Sequence, residues 1–237
     1  MHLSVIIPAY NETKRIAATL FSIKNYLSKQ AYDWEVLVVN DGSKDNTAEI
    51  VKGFAFQDSR FRLIDNQKNN GKGYVVKQGM LEATGEFRLF TDADNSTTIG
   101  QIEKFWPYAK EGYGLVIGSI EIEGAKVFEN AQWYRRIAGR LSKYLIRFMT
   151  GLWEIHDTQR GFKLLSAKAA EDIFSKIKIN RFGFDFEVLA LAKKKGYKIK
   201  EVPVVWSNPG ESKVSLKSYI ETFKELIKVR WYLWTNY

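Results

Sequence analysis

No cysteine occurs anywhere in the chain, which rules out both a disulfide framework and a thiolate zinc site and points to a reducing compartment. Histidine is nearly as scarce, with His2 and His156 the only imidazoles on offer. No apolar run approaches the roughly 18 residues of a spanning helix. An apolar strand already begins at Leu3, leaving no room for a basic leader and cleavage site, so the expectation is a chain neither secreted by a signal peptide nor threaded through a bilayer. Nothing resembles a Ser or Cys nucleophile elbow, so the neighbours His156 and Asp157 are not expected to work as a hydrolytic dyad. Internal repeats and low-complexity linkers are also missing. Residues 1–237 therefore read as one domain, whose second half extends the first.

What is present is a core and a charge. Hydrophobic residues make up 45% of the chain, and its formal charge of +9 with a pI near 9.4 implies an anionic partner: nucleic acid, phosphorylated small molecules or an anionic membrane surface. The 7 Trp and 12 Tyr suit a membrane interface as well as RNA stacking.

The stretch Glu86–Ser96 (EFRLFTDADNS) organises the rest. It reads as a short buried strand running into two carboxylates one residue apart, Asp92 and Asp94. Carboxylates so spaced at a strand end either lean together on a hard cation such as Mg²⁺ or Mn²⁺, leaving positions for phosphate oxygens, or cap the following helix. Upstream, Leu3–Ala9, Trp34–Asn40 and Phe61–Asp65 are apolar strands. Between and after them lie helices expected from Asn11-Glu12-Thr13 onward, from Asp45-Asn46-Thr47 onward, and from the turn Asn69–Gly73 to about Ala83. This alternation predicts an α/β fold with a doubly wound, mostly parallel sheet flanked by helices. Ligands of such sheets bind beyond the carboxyl ends of the strands. Pro8–Glu12, Asp41–Ser43, Gly71–Gly73 and Asp92–Asp94 all fall there, so four turns should converge on one cleft.

After the strand Leu115–Ser119 the pattern changes. Tyr134–Trp153 reads as a basic amphipathic helix, with Ile137, Leu141, Leu145, Phe148 and Leu152 on one face and Arg136, Arg140, Lys143 and Arg147 on another. Helices near Ala167–Ser175 and Phe184–Lys195 follow, then a strand Ile199–Trp206 broken by Pro203. The last helix, Leu216–Trp234, sets Ile220, Phe223, Ile227 and Trp231 against Lys217, Lys224 and Lys228. The two basic helices are either ordinary surface helices or interfacial helices on anionic lipid, and lipid is the favoured reading. Asp41 either bonds a base or ribose or caps the next helix, and Tyr10 either stacks on a base or covers a strand end. Gly71-Lys72-Gly73 is a phosphate cradle or a plain turn, and is not a P-loop.

Together Ser4–Glu12 (SVIIPAYNE), Val38–Ser43 (VVNDGS), Lys72–Gly79 (KGYVVKQG), Asp92-Ala93-Asp94 and Asp157–Lys163 (DTQRGFK) resemble the family-2 glycosyltransferases. The last of these, with Asp185-Phe186-Glu187 and Gly210–Lys213, resembles the branch that moves sugars onto polyprenyl and dolichyl phosphates. The resemblance implies a GT-A (Rossmann-like) fold with C-terminal amphipathic helices, a nucleotide-sugar half (1–120) and an acceptor half (121–237). It implies Mg²⁺ or Mn²⁺ as cofactor and inverting transfer from a nucleotide sugar to a lipid phosphate. Pro8, Tyr10, Glu12, Asp41, Lys72 and Asp92 would bind the nucleotide, Asp92 and Asp94 the metal. Asp94, Arg135, Arg160 and Lys213 would act at the reacting phosphates. Mannose synthases of this branch resemble one another in an Arg where this chain has Ile120 and a Gln where it has Ser96, so UDP-glucose is the expected donor. The enzyme is expected to be peripheral on the cytoplasmic face of a membrane. Its alternatives are a family-2 enzyme acting on a glycan hydroxyl and, in another class, a nucleic-acid binder; no nucleic-acid partner is expected.

Overall fold

The computed structural model describes residues 1–128, 133–207 and 216–235, with the side chains of 133–141 and 216–220 outside the description. The strands are β1 (Leu3–Ala9), β2 (Trp34–Asp41), β3 (Phe61–Asn66), β4 (Phe87–Thr91), β5 (Leu115–Ser119), β6 (Lys126–Phe128), β7 (Phe162–Ser166), β8 (Ile199–Pro203) and β9 (Val205–Ser207). The helices are α1 (Ile16–Leu27), α2 (Thr47–Gln57), α3 (Lys72–Glu82), α4 (Trp106–Lys110), α5 (Trp133–Thr150), α6 (Ala167–Phe174), α7 (Phe184–Lys194) and α8 (Leu216–Thr235). A 3₁₀ segment, Ile99–Lys104, leads into α4.

Seven strands form one sheet in the order β3-β2-β1-β4-β7-β5-β8, and β6 pairs with β9 beside it. The first four strands are mutually parallel, as the alternating pattern predicts. Both faces of β1 and β2 are covered, so their runs are apolar without alternation. Val5, Ile7, Val36 and Val38 face the layer of α1, α2 and α4; Ile6, Leu37 and Val39 face that of α3, α6 and α7. The chain order reverses between β1 and β4, which places the switch point, and hence the crevice, at their carboxyl ends.

One feature departs from the sequence reading, and a second bears on its alternatives. Asp157–Ser166 carried no strand expectation, yet β7 lies inside the sheet, antiparallel to both β4 and β5. Its Lys163 is 2% exposed in an otherwise apolar strand, which masks the periodic signal. The other concerns the basic helices. On α5, Ile146 is buried while Leu145 and Phe148 are exposed; on α8, Leu226 and Val229 are buried while Phe223, Ile227 and Trp231 are exposed. The stripes expected to be the apolar faces therefore point outward over most of their described length, although Leu152, just past α5, is buried. Among the described residues, no helix is long and apolar enough to cross a membrane.

Candidate active site

Hydrogen bonds and one ion pair stitch the four turns together. Asn11 takes a left-handed φ of 53° after β1; its N–H donates to Ser43 Oγ at 2.9 Å and its Oδ1 accepts the Lys44 N–H at 2.9 Å. The first turn is thereby fixed to the second. Asn11–Thr13 do not open α1, which begins at Ile16; the Glu12 N–H donates to Thr47 Oγ1 at 2.8 Å instead. Asp41 is the last residue of β2, and its carboxylate accepts the N–H groups of Asn70 (2.7 Å) and Gly71 (3.0 Å), joining the second turn to the third. No bond to the N-terminus of α2 is made by Asp41; Asp45 accepts the Thr47 N–H there. Burial raises the Asp41 pKa above the usual aspartate value, against the pull of those two amides and of Arg181.

The third turn meets the fourth through charge. Lys72, first residue of α3, places Nζ 2.6 Å from Asp92 Oδ1. Burial lowers the Lys72 pKa, but Asp92, Asp185 and Asp94 outweigh it and hold the ammonium above its ordinary value. The Asp92 N–H donates to the Gly161 carbonyl at 3.2 Å, and a Cβ at Gly161 would stand 2.5 Å from the Asp92 carboxyl carbon. Only glycine permits the loop before β7 to approach this closely. Asp94 turns one oxygen to the Ser96 N–H at 2.9 Å, within the loop that holds Asn95 at φ 56°.

The loop before β7 brings the second half of the chain to the same place. Asp157 accepts the Ile120 N–H and the Arg160 Nε–H, each at 3.2 Å. The Arg160 guanidinium lies 4.8 Å from the centroid of the Trp206 ring. Glu201 of β8 accepts the N–H groups of His156 and Asp157, both at 2.8 Å, so the His156-Asp157 pair is a loop anchor. Lys163 reaches back to the Arg160 carbonyl and pairs with Asp185, whose pKa is raised by burial against the opposing pull of Lys163 and Lys72.

Of the expected residues, Asp41, Lys72, Asp92, Asp94 and Arg160 are brought together by these contacts. Pro8 stands opposite Val39 in the sheet, and Tyr10 is exposed at the β1 end. Glu12 turns a carboxylate oxygen to Arg15 at 2.8 Å. Arg135 and Lys213 lie outside the residues whose side chains are described. Sequence reasoning gave no role to Lys163, Glu201 or Asp185. The available signal was charge within apolar segments, FKLLS and FDFEVLALA, where a buried ion requires a partner.

As for a cation, no group of three or more His, Cys, Asp or Glu residues suited to one occurs among the described residues. The carboxylates of Asp92 and Asp94 are oxygen donors of the kind that would suit a hard divalent ion whose remaining positions substrate phosphates would fill. Asp92 already shares an oxygen with Lys72, which leaves Asp94 the better placed of the two.

The Glycosyl transferase family 2 model matches residues 4–174. The chain belongs to glycosyltransferase family 2. Dolichyl-phosphate beta-glucosyltransferases are similar to this family member along nearly its whole length. One from Trichomonas vaginalis is 37% identical over 99% of this chain and 74% of its own. The mouse enzyme is 32% identical over 96% of this chain and 74% of its own. A solved structure of glucosyl-3-phosphoglycerate synthase from Mycobacterium tuberculosis, in complex with Mn²⁺, UDP-glucose and phosphoglyceric acid, superposes with a TM-score of 0.70. That pairing has 19% identity and covers 98% of this glycosyltransferase and 79% of that chain. The shared fold agrees with the GT-A expectation.

Proposed function

We propose that this glycosyltransferase moves glucose, with inversion, from UDP-glucose to a dolichyl or related polyprenyl phosphate. The observation that carries the reading is the linkage of all four strand-end turns to the Asp157–Gly161 loop around Lys72, Asp92 and Asp94. The relatives' names supply the donor sugar and the acceptor class. Strands from both halves enter one sheet, which supports reading residues 1–237 as one catalytic unit.

In the proposed reaction an oxygen of the lipid phosphate bonds to the anomeric carbon as the bond from that carbon to the diphosphate breaks, and UDP departs. A lipid phosphate is an anion at neutral pH, so no general base is needed. Asp185, a carboxylate near Lys72 and Asp92, is held by Lys163 and is poorly suited to be one. Lys72 offers a fixed positive charge to the diphosphate, where preorganised cations favour the charge that develops on the leaving group. Arg160, oriented by Asp157 and Trp206, presents a planar fork suited to a phosphate. Asp94, with a second oxygen from Asp92, would hold the divalent ion, whose contribution when bound is to neutralise charge on the departing diphosphate.

Beside this cleft, the outward aromatic residues of α5 and α8 and their basic neighbours support peripheral attachment to an anionic bilayer. We place that attachment at a cytoplasmic face, where nucleotide sugar and lipid phosphate meet. The test is incubation of radiolabelled UDP-glucose with a short polyprenyl phosphate and Mn²⁺. Labelled lipid, with UDP as co-product, is the expected result; no labelled lipid with any common sugar donor would sink the proposal.

A further inference from the structure

The segment 177–183 between α6 and α7 touches the donor cleft on one side and the last helix on the other. On the cleft side, the Asn180 carbonyl accepts the Tyr74 N–H at 3.1 Å, and Lys77 Nζ donates to the Ile177 carbonyl at 2.9 Å; both donors belong to α3. A Cβ at Gly71, held at φ 100°, would lie 2.9 Å from Arg181 Cγ. The segment therefore packs directly against the turn whose amides grip Asp41. Arg181 stands near enough to that carboxylate to favour its charged form.

On the other side lies Glu225 of α8. One of its oxygens accepts the Gly183 N–H at 2.8 Å, burial raises its pKa against the pull of the Gly183 and Arg181 backbone, and a Cβ at Gly183 would stand 2.9 Å from Glu225 Cβ. Gly183 precedes the first residue of α7, so the carboxylate satisfies an amide that the helix itself leaves open and meets its positive end. Glu187, fully buried, fixes the earlier part of the segment by accepting the Lys178 and Ile179 N–H groups, each at 2.9 Å. Along α8, Glu225 sits two positions from both Phe223 and Ile227, about half a turn away, so one helix carries the exposed aromatic stripe outward and this carboxylate inward.

We propose that Glu225 is a positioning residue for the donor pocket: through Arg181 and Gly183 it sets the turn around Gly71 against which Asp41 is held, and so couples α8 to nucleotide binding. The inference rests on reading that pocket as the nucleotide site. The experiment is calorimetric titration of the full chain with UDP in the presence of Mn²⁺, for the unmodified protein, Glu225→Ala and Glu225→Gln. Alanine is expected to raise the Kd for UDP about 5- to 10-fold, the scale of one lost hydrogen bond, at unchanged stoichiometry. Glutamine retains an accepting oxygen and should stay within about twofold. A fall in stoichiometry with an unchanged Kd would show a role in stability alone and overturn the proposal, as would an unaltered Kd in the alanine variant. Should alanine prevent folding, Glu225→Asp, which keeps the charge but retracts the acceptor, is read by the same criteria. If the unmodified chain itself fails to bind UDP, the donor-pocket reading falls and this inference falls with it. Binding by the unmodified chain with no effect of the variants defeats this inference alone.

Discussion

Asp92 and Asp94 are two positions apart and meet different surroundings. Asp92 is committed to Lys72 and abuts Gly161, while Asp94 spends one oxygen on a backbone amide of its own loop. Asp94→Asn keeps the amide oxygen for Ser96 but removes the charge that a divalent ion requires. Its transfer rate should fall on the order of 10²- to 10³-fold, with loss of Mn²⁺-dependent UDP binding by calorimetry. A rate within a few-fold of the parent would exclude Asp94 as the metal's ligand. Gly161→Ala tests the neighbouring contact, since its methyl must displace the Asp92 carboxylate or the loop carrying Arg160. Initial rates should show kcat/KM reduced by roughly tenfold or more, about the factor expected from a misplaced catalytic group. Asp92 was legible in the sequence as a carboxylate at a strand end; its ion pair with Lys72 was not, because the two residues stand in different turns.

Helices α5 and α8 show where periodicity stops being informative. Apolar residues occupy much of the circumference of α8, including Phe223, Leu226, Ile227, Val229, Trp231, Leu233 and Trp234, so spacing alone cannot say which stripe meets the protein. The structure buries Leu226 and Val229 and leaves Phe223, Ile227, Trp231 and Trp234 exposed, as are Tyr144 and Phe148 of the helix packed beside it. Aromatic residues flanked by Lys and Arg suit the boundary of an anionic bilayer, where each buried aromatic contributes about 1.5–3 kcal/mol. The double variant Phe148→Ser/Trp231→Ser should therefore lower partitioning onto anionic liposomes by at least about tenfold in a flotation assay. Its melting temperature should stay close to the parent's, because both side chains are already exposed. Undiminished flotation would assign this face to something other than lipid.

At the scale of the molecule, the cleft depends on long-range ties, and some of them titrate. Asp45 binds the first two turns together through Thr13 and Thr47, and although its partial burial opposes the shift, these bonds bring its pKa down to about 2 from 3.8. Asp58 is likewise lowered to about 2, chiefly by Arg60 and against its partial burial. A carboxyl depressed in the folded state stabilises the fold above its unfolded pKa and loses that contribution as pH falls toward the folded value. Stability followed by circular dichroism should thus decline between about pH 4 and pH 2. The variant Asp45→Asn/Asp58→Asn should be less stable at neutral pH and show a shallower decline across that window. An equally steep acid limb would mean that other carboxylates dominate it.

The sequence by itself determined the strands β1 to β5 and the end of the sheet at which the four polar turns gather. Those features rest on local rules, continuous apolar runs for strands covered on both faces and polar turn residues at their carboxyl ends. It also carried the family, through five motifs, of which four run to a strand end or the loop before β7 and one, Lys72–Gly79, lies in α3. Only the tertiary structure decided that β7 enters antiparallel between β4 and β5, that Lys72 pairs with Asp92, and that α8 turns aromatics outward and Glu225 inward. Each of these is a choice among partners distant in the chain, fixed by which burial and charge pairing the assembled layers leave available, and no local pattern records it.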